Sequence, residues 1–263
     1  MGQFLIVTHA KDIDAYKEIA KEYNVGFEVN DFYNPSVLED TEEMNRLIEF
    51  YQEQGMPVGS TMHGAFFDTV VFSYDPRIRE ISELRMEQSM KIAVRLGVKG
   101  VVFHTNISPV LSGVEYDRRA IEMTVEYMEC LLKRYPDTQI YLENMFDTDP
   151  ELLAAISEKL CIYDNYGVCF DYAHASISST PIPVWVEALV PYIKHIHIND
   201  NNLKRDQHLA IGDGEIDWEQ FMEYKRQYFE NCSVVIETTF PENQRRSLRY
   251  LEQNFADMIQ RRD

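Results

Sequence analysis

Eight times along this chain a short β-rich run gives way to an amphipathic helical stretch, and no two of the runs are joined by a hairpin signal. The strand candidates are 4–8, 25–30, 58–63, 100–104, 139–143, 167–171, 193–198 and 233–237. Helical patterns fall at 12–23, 41–54, 78–96, 118–135, 150–160, 184–189, 218–228 and 244–259. Such alternation calls for parallel strands, because each helix carries the chain back to the starting end before the next strand begins. An open, doubly wound sheet wants a glycine-rich turn after its first strand, and the stretch from Thr8 to Asp12 has no glycine. Closure into a single (β/α)8 barrel over 1–263 is therefore predicted, and its length is near the roughly 250 residues such barrels use. Within 78–96, Ile81, Leu84, Met90, Ala93 and Val94 mostly follow three-and-four spacing and are expected to form the inward stripe. Asp149 and Pro150 offer a cap and a first-turn proline to the helix that follows.

Acidic residues outnumber basic ones by 44 to 25, for a formal charge of −19. Such a surface repels nucleic-acid backbones and anionic membranes, so a small-molecule partner is expected and nucleic acid is disfavoured. The four cysteines, Cys130, Cys161, Cys169 and Cys232, form no Cys-x-x-Cys pair and read as buried thiols of a reducing compartment. The amino terminus lacks the marks of a secretion signal, and no apolar run approaches the roughly 18 residues of a membrane span. A cytoplasmic protein is expected, its oligomeric state, homo-oligomer included, left open.

Chemistry-bearing side chains collect at the strand ends. Strand three ends in His63, strand four in His104, strand five in Glu143 and strand six in Asp171, with His174 three residues on. Strand seven carries His195 and His197, its loop adds Asp206 and His208, and strand eight ends in Glu237. In a parallel barrel these ends converge on one mouth. Singly, each has a plain reading: a histidine as a hydrogen-bonded strand cap, a glutamate as a salt-bridged carboxylate. Jointly, three carboxylates buried at one mouth repel one another, and no Lys or Arg stands at those strand ends to relieve them. A divalent cation would, and a mixed set of imidazoles and carboxylates suits Zn, Mn, Fe or Co. His195, two residues before His197, shares its face but lies deeper and reads as a supporting or packed histidine. Glu28, near the end of strand two, points toward the mouth and is expected to be salt-bridged within the barrel, while His9 has no evident partner.

Read in order, Met62–Asp68, Phe103–Asn106, Leu142–Asn144, Cys169–His174, His195–Asp200, Asp206–Trp218 and Val235–Thr238 carry a resemblance that covers nearly the whole chain. The chain resembles the xylose-isomerase-like barrel superfamily, which includes endonuclease IV and many sugar isomerases and epimerases. The resemblance to the epimerases implies one Mn-type metal held by Glu143, Asp171, His197 and Glu237. The resemblance to endonuclease IV implies up to three metals, with His63 and His104 joining Glu143 at a second, and His174, Asp206 and His208 at a third. Against the nuclease stand His104-Thr105-Asn106, where that enzyme has a His-Pro-Gly turn, a shorter loop from His197 to Asp206, and the acidic charge. The preferred expectation is a divalent-metal-dependent isomerase or epimerase of a sugar or sugar phosphate, with Zn, Mn or Co as cofactor. By resemblance, Glu143 and Glu237 exchange the proton, and His174, Phe66 and Tyr172 face the substrate, with Phe67 and Phe146 near the mouth. Phosphodiester hydrolysis of the endonuclease IV kind, or a dehydratase on the same barrel, is the alternative.

Overall fold

The computed structural model describes residues 2–111 and 113–259; residues 1, 112 and 260–263 of the predicted span lie outside it. Eight parallel strands close in sequence order into a barrel, the last pairing back onto the first. They are β1 (Phe4–Thr8), β2 (Gly26–Val29), β3 (Thr61–His63), β4 (Gly100–His104), β5 (Gln139–Glu143), β6 (Tyr166–Asp171), β7 (Ile193–Ile198) and β8 (Ser233–Ile236). The predicted α/β barrel is the fold the chain adopts.

Period-two alternation sorts each strand between two environments. Phe4 and Ile6 of β1, and Val234 and Ile236 of β8, join the large core between barrel and helices, while Leu5, Val7 and Val235 meet inside the barrel. Val102, Tyr141 and Cys169 form a second patch of lumen packing. Strand register therefore decides which side chains meet at the mouth: His104 lies beside Glu143, Glu143 beside Cys169, and Asp171 beside His197.

The surrounding helices are α1 (Ile13–Tyr23), α2 (Pro35–Glu39), α3 (Thr41–Gln54), α4 (Pro76–Leu96), α5 (Val114–Arg134), α6 (Glu151–Leu160), α7 (Tyr172–Ile177), α8 (Ile182–Leu189), α9 (Trp218–Gln227) and α10 (Pro241–Asn254). Neither α2 nor α7 is among the expected helices; both are too short to show a periodic stripe. Asp149 Oδ1 accepts the Glu151 N–H at 3.0 Å, but α6 begins one residue later than predicted, so Pro150 stands at the N-cap position and not in the first turn. Among the described residues, no helix is long and apolar enough to cross a membrane.

Two expectations are corrected. On α4, Ile81, Leu84 and Val94 are 40%, 47% and 55% exposed, whereas Met90 and Ala93 are buried. The inward face instead runs through Ser82, Arg85, Met86 and Ser89. Ser82 and Ser89 receive the Val70 and Ala65 N–H groups while donating to Ile78 and Arg85 carbonyls, so two hydroxyls occupy part of the inward face. Among the cysteines only Cys169 and Cys232 are buried; Cys130 and Cys161 stand exposed on α5 and just past α6.

Candidate metal centre

The centre begins with how β6 ends. Asp171 is both its last residue and the N-cap of α7: Oδ1 accepts the His174 N–H at 2.6 Å, which leaves Oδ2 for other work. The cap explains the three-residue spacing from Asp171 to His174 and turns both side chains toward the same mouth. Glu143 ends β5, His197 lies near the end of β7, and Glu237 follows β8 with its N–H on the Ile198 carbonyl.

Donor atoms of Glu143, Asp171, His197 and Glu237 all lie within 4.8 Å of one another. His197 Nδ1 stands 3.2 Å from Glu143 Oε2 and 3.3 Å from Glu237 Oε2. Donors sharing a tetrahedral cation with bonds of about 2.1 Å sit roughly 3.4 Å apart, so the spacing fits. Both Glu143 oxygens, Asp171 Oδ2, His197 Nδ1 and Glu237 Oε2 are buried and have no hydrogen-bond partner. Native interiors rarely leave one such atom bare, and here five converge.

Electrostatics point the same way. Asp171 is pushed up to about 7, first by burial and then by repulsion from Glu143 and Glu237, against the pull of His174. Burial would also raise Glu143, yet His197 and His104 hold it well below the usual carboxylate range. His197 is held well above the usual imidazole range although burial opposes it, because Cys169, Glu143, Glu28 and Glu237 face it. With protein groups alone, imidazolium charge must balance the carboxylates; a divalent cation provides that charge with every donor deprotonated.

Support lies one layer down. Glu28 is fully buried; Oε1 is 3.0 Å from His197 Nε2, and Oε2 is 3.1 Å from His195 Nε2 and accepts from Thr61 Oγ1 at 2.7 Å. A carboxylate behind Nε2 leaves Nδ1 to face the cluster. The expected salt-bridged role of Glu28 and the deeper place of His195 both appear here, His195 being anchored by Ser233 Oγ at 2.6 Å and stacked on Tyr141.

The remaining expected ligands flank this tetrad. His63 and His104 bring their Nε2 atoms 3.1 Å apart and to 3.7 and 3.5 Å from Glu143 Oε2, and the three form another set of close donors. His174 and His208 both reach Asp206 Oδ2, at 3.4 and 2.9 Å, but these three are not among the donor sets gathered within 4.8 Å in the described residues. Backbone carbonyls of Gly64, Asn144 and Glu237 bond the Nδ1 atoms of His63, His174 and His208, turning each Nε2 inward. Asp206 is held below its usual range despite burial by hydrogen bonds from both histidines, and His208 is raised to about 10, against burial, by Asp206 and Glu237.

Above the cluster opens a cavity of about 790 Å³, lined by His63, His104, His174, His208 and Glu237, with Tyr33, Phe66, Phe67 and Phe146 among its walls. Phe66 stacks on His104 with ring centroids 4.8 Å apart. Tyr172 does not reach it: the side chain is 1% exposed, packs on Phe221 and hydrogen-bonds Gln220 at 3.3 Å, so it belongs to the core. Its nearness to Asp171 in sequence suggests a place at the mouth, but the residue next to an inward-facing one falls on the opposite face, and Tyr172 opens α7 there. The cavity also holds His9 and Asp31, a pair 22 residues apart that sequence spacing does not reveal.

The sequence profile described as the xylose isomerase-like TIM barrel matches residues 18–254. Among curated relatives, an uncharacterized protein of Methanocaldococcus jannaschii is 28% identical over 167 residues, covering 61% of this chain and 63% of its own. A probable endonuclease 4 of Halorhodospira halophila is 26% identical over 188 residues, 62% of each chain. The chain thus spans less than two thirds of the length of these relatives. Of solved structures, a Thermus thermophilus protein soaked with ZnCl2 superposes with a TM-score of 0.80 at 23% identity, covering 97% of this chain and 98% of the other. A D-tagatose 3-epimerase-like protein gives 0.75 at 23% identity, covering 95% and 96%.

Proposed function

Because the chain belongs to the xylose isomerase-like TIM barrel family, we propose that it is a divalent-metal-dependent isomerase or epimerase of a ketose or ketose phosphate. The observation that carries this reading is the set of buried, unpartnered donors of Glu143, Asp171, His197 and Glu237, the last of which lines the cavity. These four would hold Zn, Mn or Co, and the chemistry such a cation supplies is Lewis acidity toward a carbonyl oxygen. Glu143 and Glu237 enter the donor cluster from β5 and β8, three strands apart around the barrel, and Glu237 lines the cavity itself. One carboxylate takes the proton from the carbon beside a ketose carbonyl, and the other returns a proton from the opposite side. His174, fixed by the Asn144 carbonyl at 3.0 Å, orients a substrate oxygen, and Phe66 and Phe146 shield the cavity from water.

A second reading, phosphoester hydrolysis on more than one metal, draws on the His63–His104–Glu143 donor set and on the similarity to a probable endonuclease 4. The formal charge of −19 weighs against duplex DNA as its substrate. Both readings meet in one experiment. Protein loaded with Zn²⁺, Mn²⁺ or Co²⁺ is incubated in D₂O with free and phosphorylated ketoses and, separately, with a duplex containing an abasic site. Deuterium entering the carbon next to the carbonyl, lost in Glu237→Gln, is the expected result. Incision of the duplex by pure protein, also lost in Glu237→Gln and without exchange into any ketose, overturns the proposal in favour of hydrolysis.

A further inference from the structure

His9 follows β1 in extended conformation, with φ −127° and ψ 140°, and lines the same cavity as Glu237. Continuing the register Leu5 to Val235 and Ile6 to Ile236 sets Val7 beside Glu237. His9 therefore stands two residues nearer the mouth, roughly 6–7 Å above Glu237 along the strand.

Its orientation is built by three elements. His9 Nδ1 is 3.3 Å from Asp31 Oδ1, and Asp31 Oδ2 accepts the Tyr51 hydroxyl at 2.5 Å and the Ala10 N–H at 2.7 Å. Tyr51 comes from α3 and is fully buried, so the carboxylate is held from β1, β2 and α3 at once. Burial works to raise the Asp31 carboxyl, but the hydrogen bonds from His9, Tyr51 and the Ala10 N–H hold it below its usual range. An ionised carboxylate on Nδ1 keeps a proton there and leaves Nε2 an acceptor. Among the described residues Nε2 makes no hydrogen bond, and the side chain retains 19% exposure within the cavity wall. A purely structural His–Asp pair has no need to present a free acceptor to a substrate-sized cavity.

We propose that His9, oriented by Asp31 and Tyr51, contacts the substrate through Nε2, accepting a hydrogen bond from a hydroxyl several bonds removed from the carbons served by Glu143 and Glu237. The assignment rests on the polyhydroxylated-substrate reading above, and it makes His9 a specificity residue that selects molecules hydroxylated at that distance.

The test is isothermal titration of metal-loaded protein with a panel of ketoses and, for the tightest binder, its singly deoxygenated analogues. His9→Ala binds that ketose about tenfold more weakly, the worth of one hydrogen bond. One deoxy analogue binds wild type about tenfold more weakly and loses nothing further in His9→Ala, a coupling that general loosening of the wall would not produce. His9→Gln, which keeps an acceptor, recovers part of the loss, and metal content stays at the wild-type value in both variants. Equal binding of the ketose by wild type and His9→Ala overturns the proposal and leaves the metal-centre reading standing. Failure of metal-loaded wild type to bind any ketose overturns the substrate class and this assignment together.

Discussion

Substituting Asn for Asp171 removes one charge from the cluster while keeping the Oδ1 that caps α7 through the His174 N–H. In the protein without metal, Asp171 is pushed from 3.8 up to about 7, by burial first and by Glu143 and Glu237 after it. Three pKa units at about 1.4 kcal/mol each set a ceiling of about 4 kcal/mol on the cost of ionising it in that fold. Between the two values the folded state keeps a proton that the unfolded chain has released, so stability falls as pH rises through this window. The penalty is absent below about pH 3.8 and complete above about pH 7. Metal-free Asp171→Asn should then melt higher than metal-free wild type at pH 8, by up to roughly 8–16 °C for a chain of this size, with the gap narrowing at pH 5. Metal closes the gap. A cation at a thousandfold excess over Kd stabilises wild type by about 4 kcal/mol, and the variant, short of one charged donor, forgoes most of that. Calorimetric melts at both pH values, with chelator and with Zn²⁺ or Mn²⁺, read that convergence directly. A metal-free variant that melts below metal-free wild type at pH 8 would refute the reasoning, as would a wild-type curve unmoved by metal removal that elemental analysis has verified.

Two further substitutions probe the support of the site. Glu28→Gln replaces the carboxylate 3.0 Å behind His197 Nε2, and metal affinity measured by competition with a chelating dye should fall about 10–100-fold without loss of the barrel's circular dichroism. Asp200, fully buried, accepts from the Gly212 and Ile216 N–H groups and from Trp218 Nε1, and so pins the loop that carries Asp206 and His208. Asp200→Ala strands those donors and should cost on the order of 3 kcal/mol or more, a drop in Tm of roughly 6–12 °C, while metal bound at the tetrad persists.

The sequence by itself determined the barrel and the identity of its mouth. Strand–helix alternation is a local pattern, and in a closed parallel sheet the strand ends carry His63, His104, Glu143, Asp171, His197 and Glu237 to one place whatever the details of packing. Locality is also why that reading stopped where it did. The choice of His197 Nδ1 as the nitrogen facing the carboxylates depends on Glu28, and His195 meets the same carboxylate across 167 residues of chain. His9 looked partnerless because Asp31 and Tyr51 arrive from other elements. Tyr172 adjoins Asp171 in sequence, but period-two alternation puts it on the opposite face, and the helix that starts there packs its ring into the core. On α4 the buried face rests on serines whose hydroxyls serve loop N–H groups, a match that no count of apolar residues reveals. Residue type and period decide which side chains reach the mouth, but hydrogen-bond partners are chosen by closure, which sets distant strands side by side.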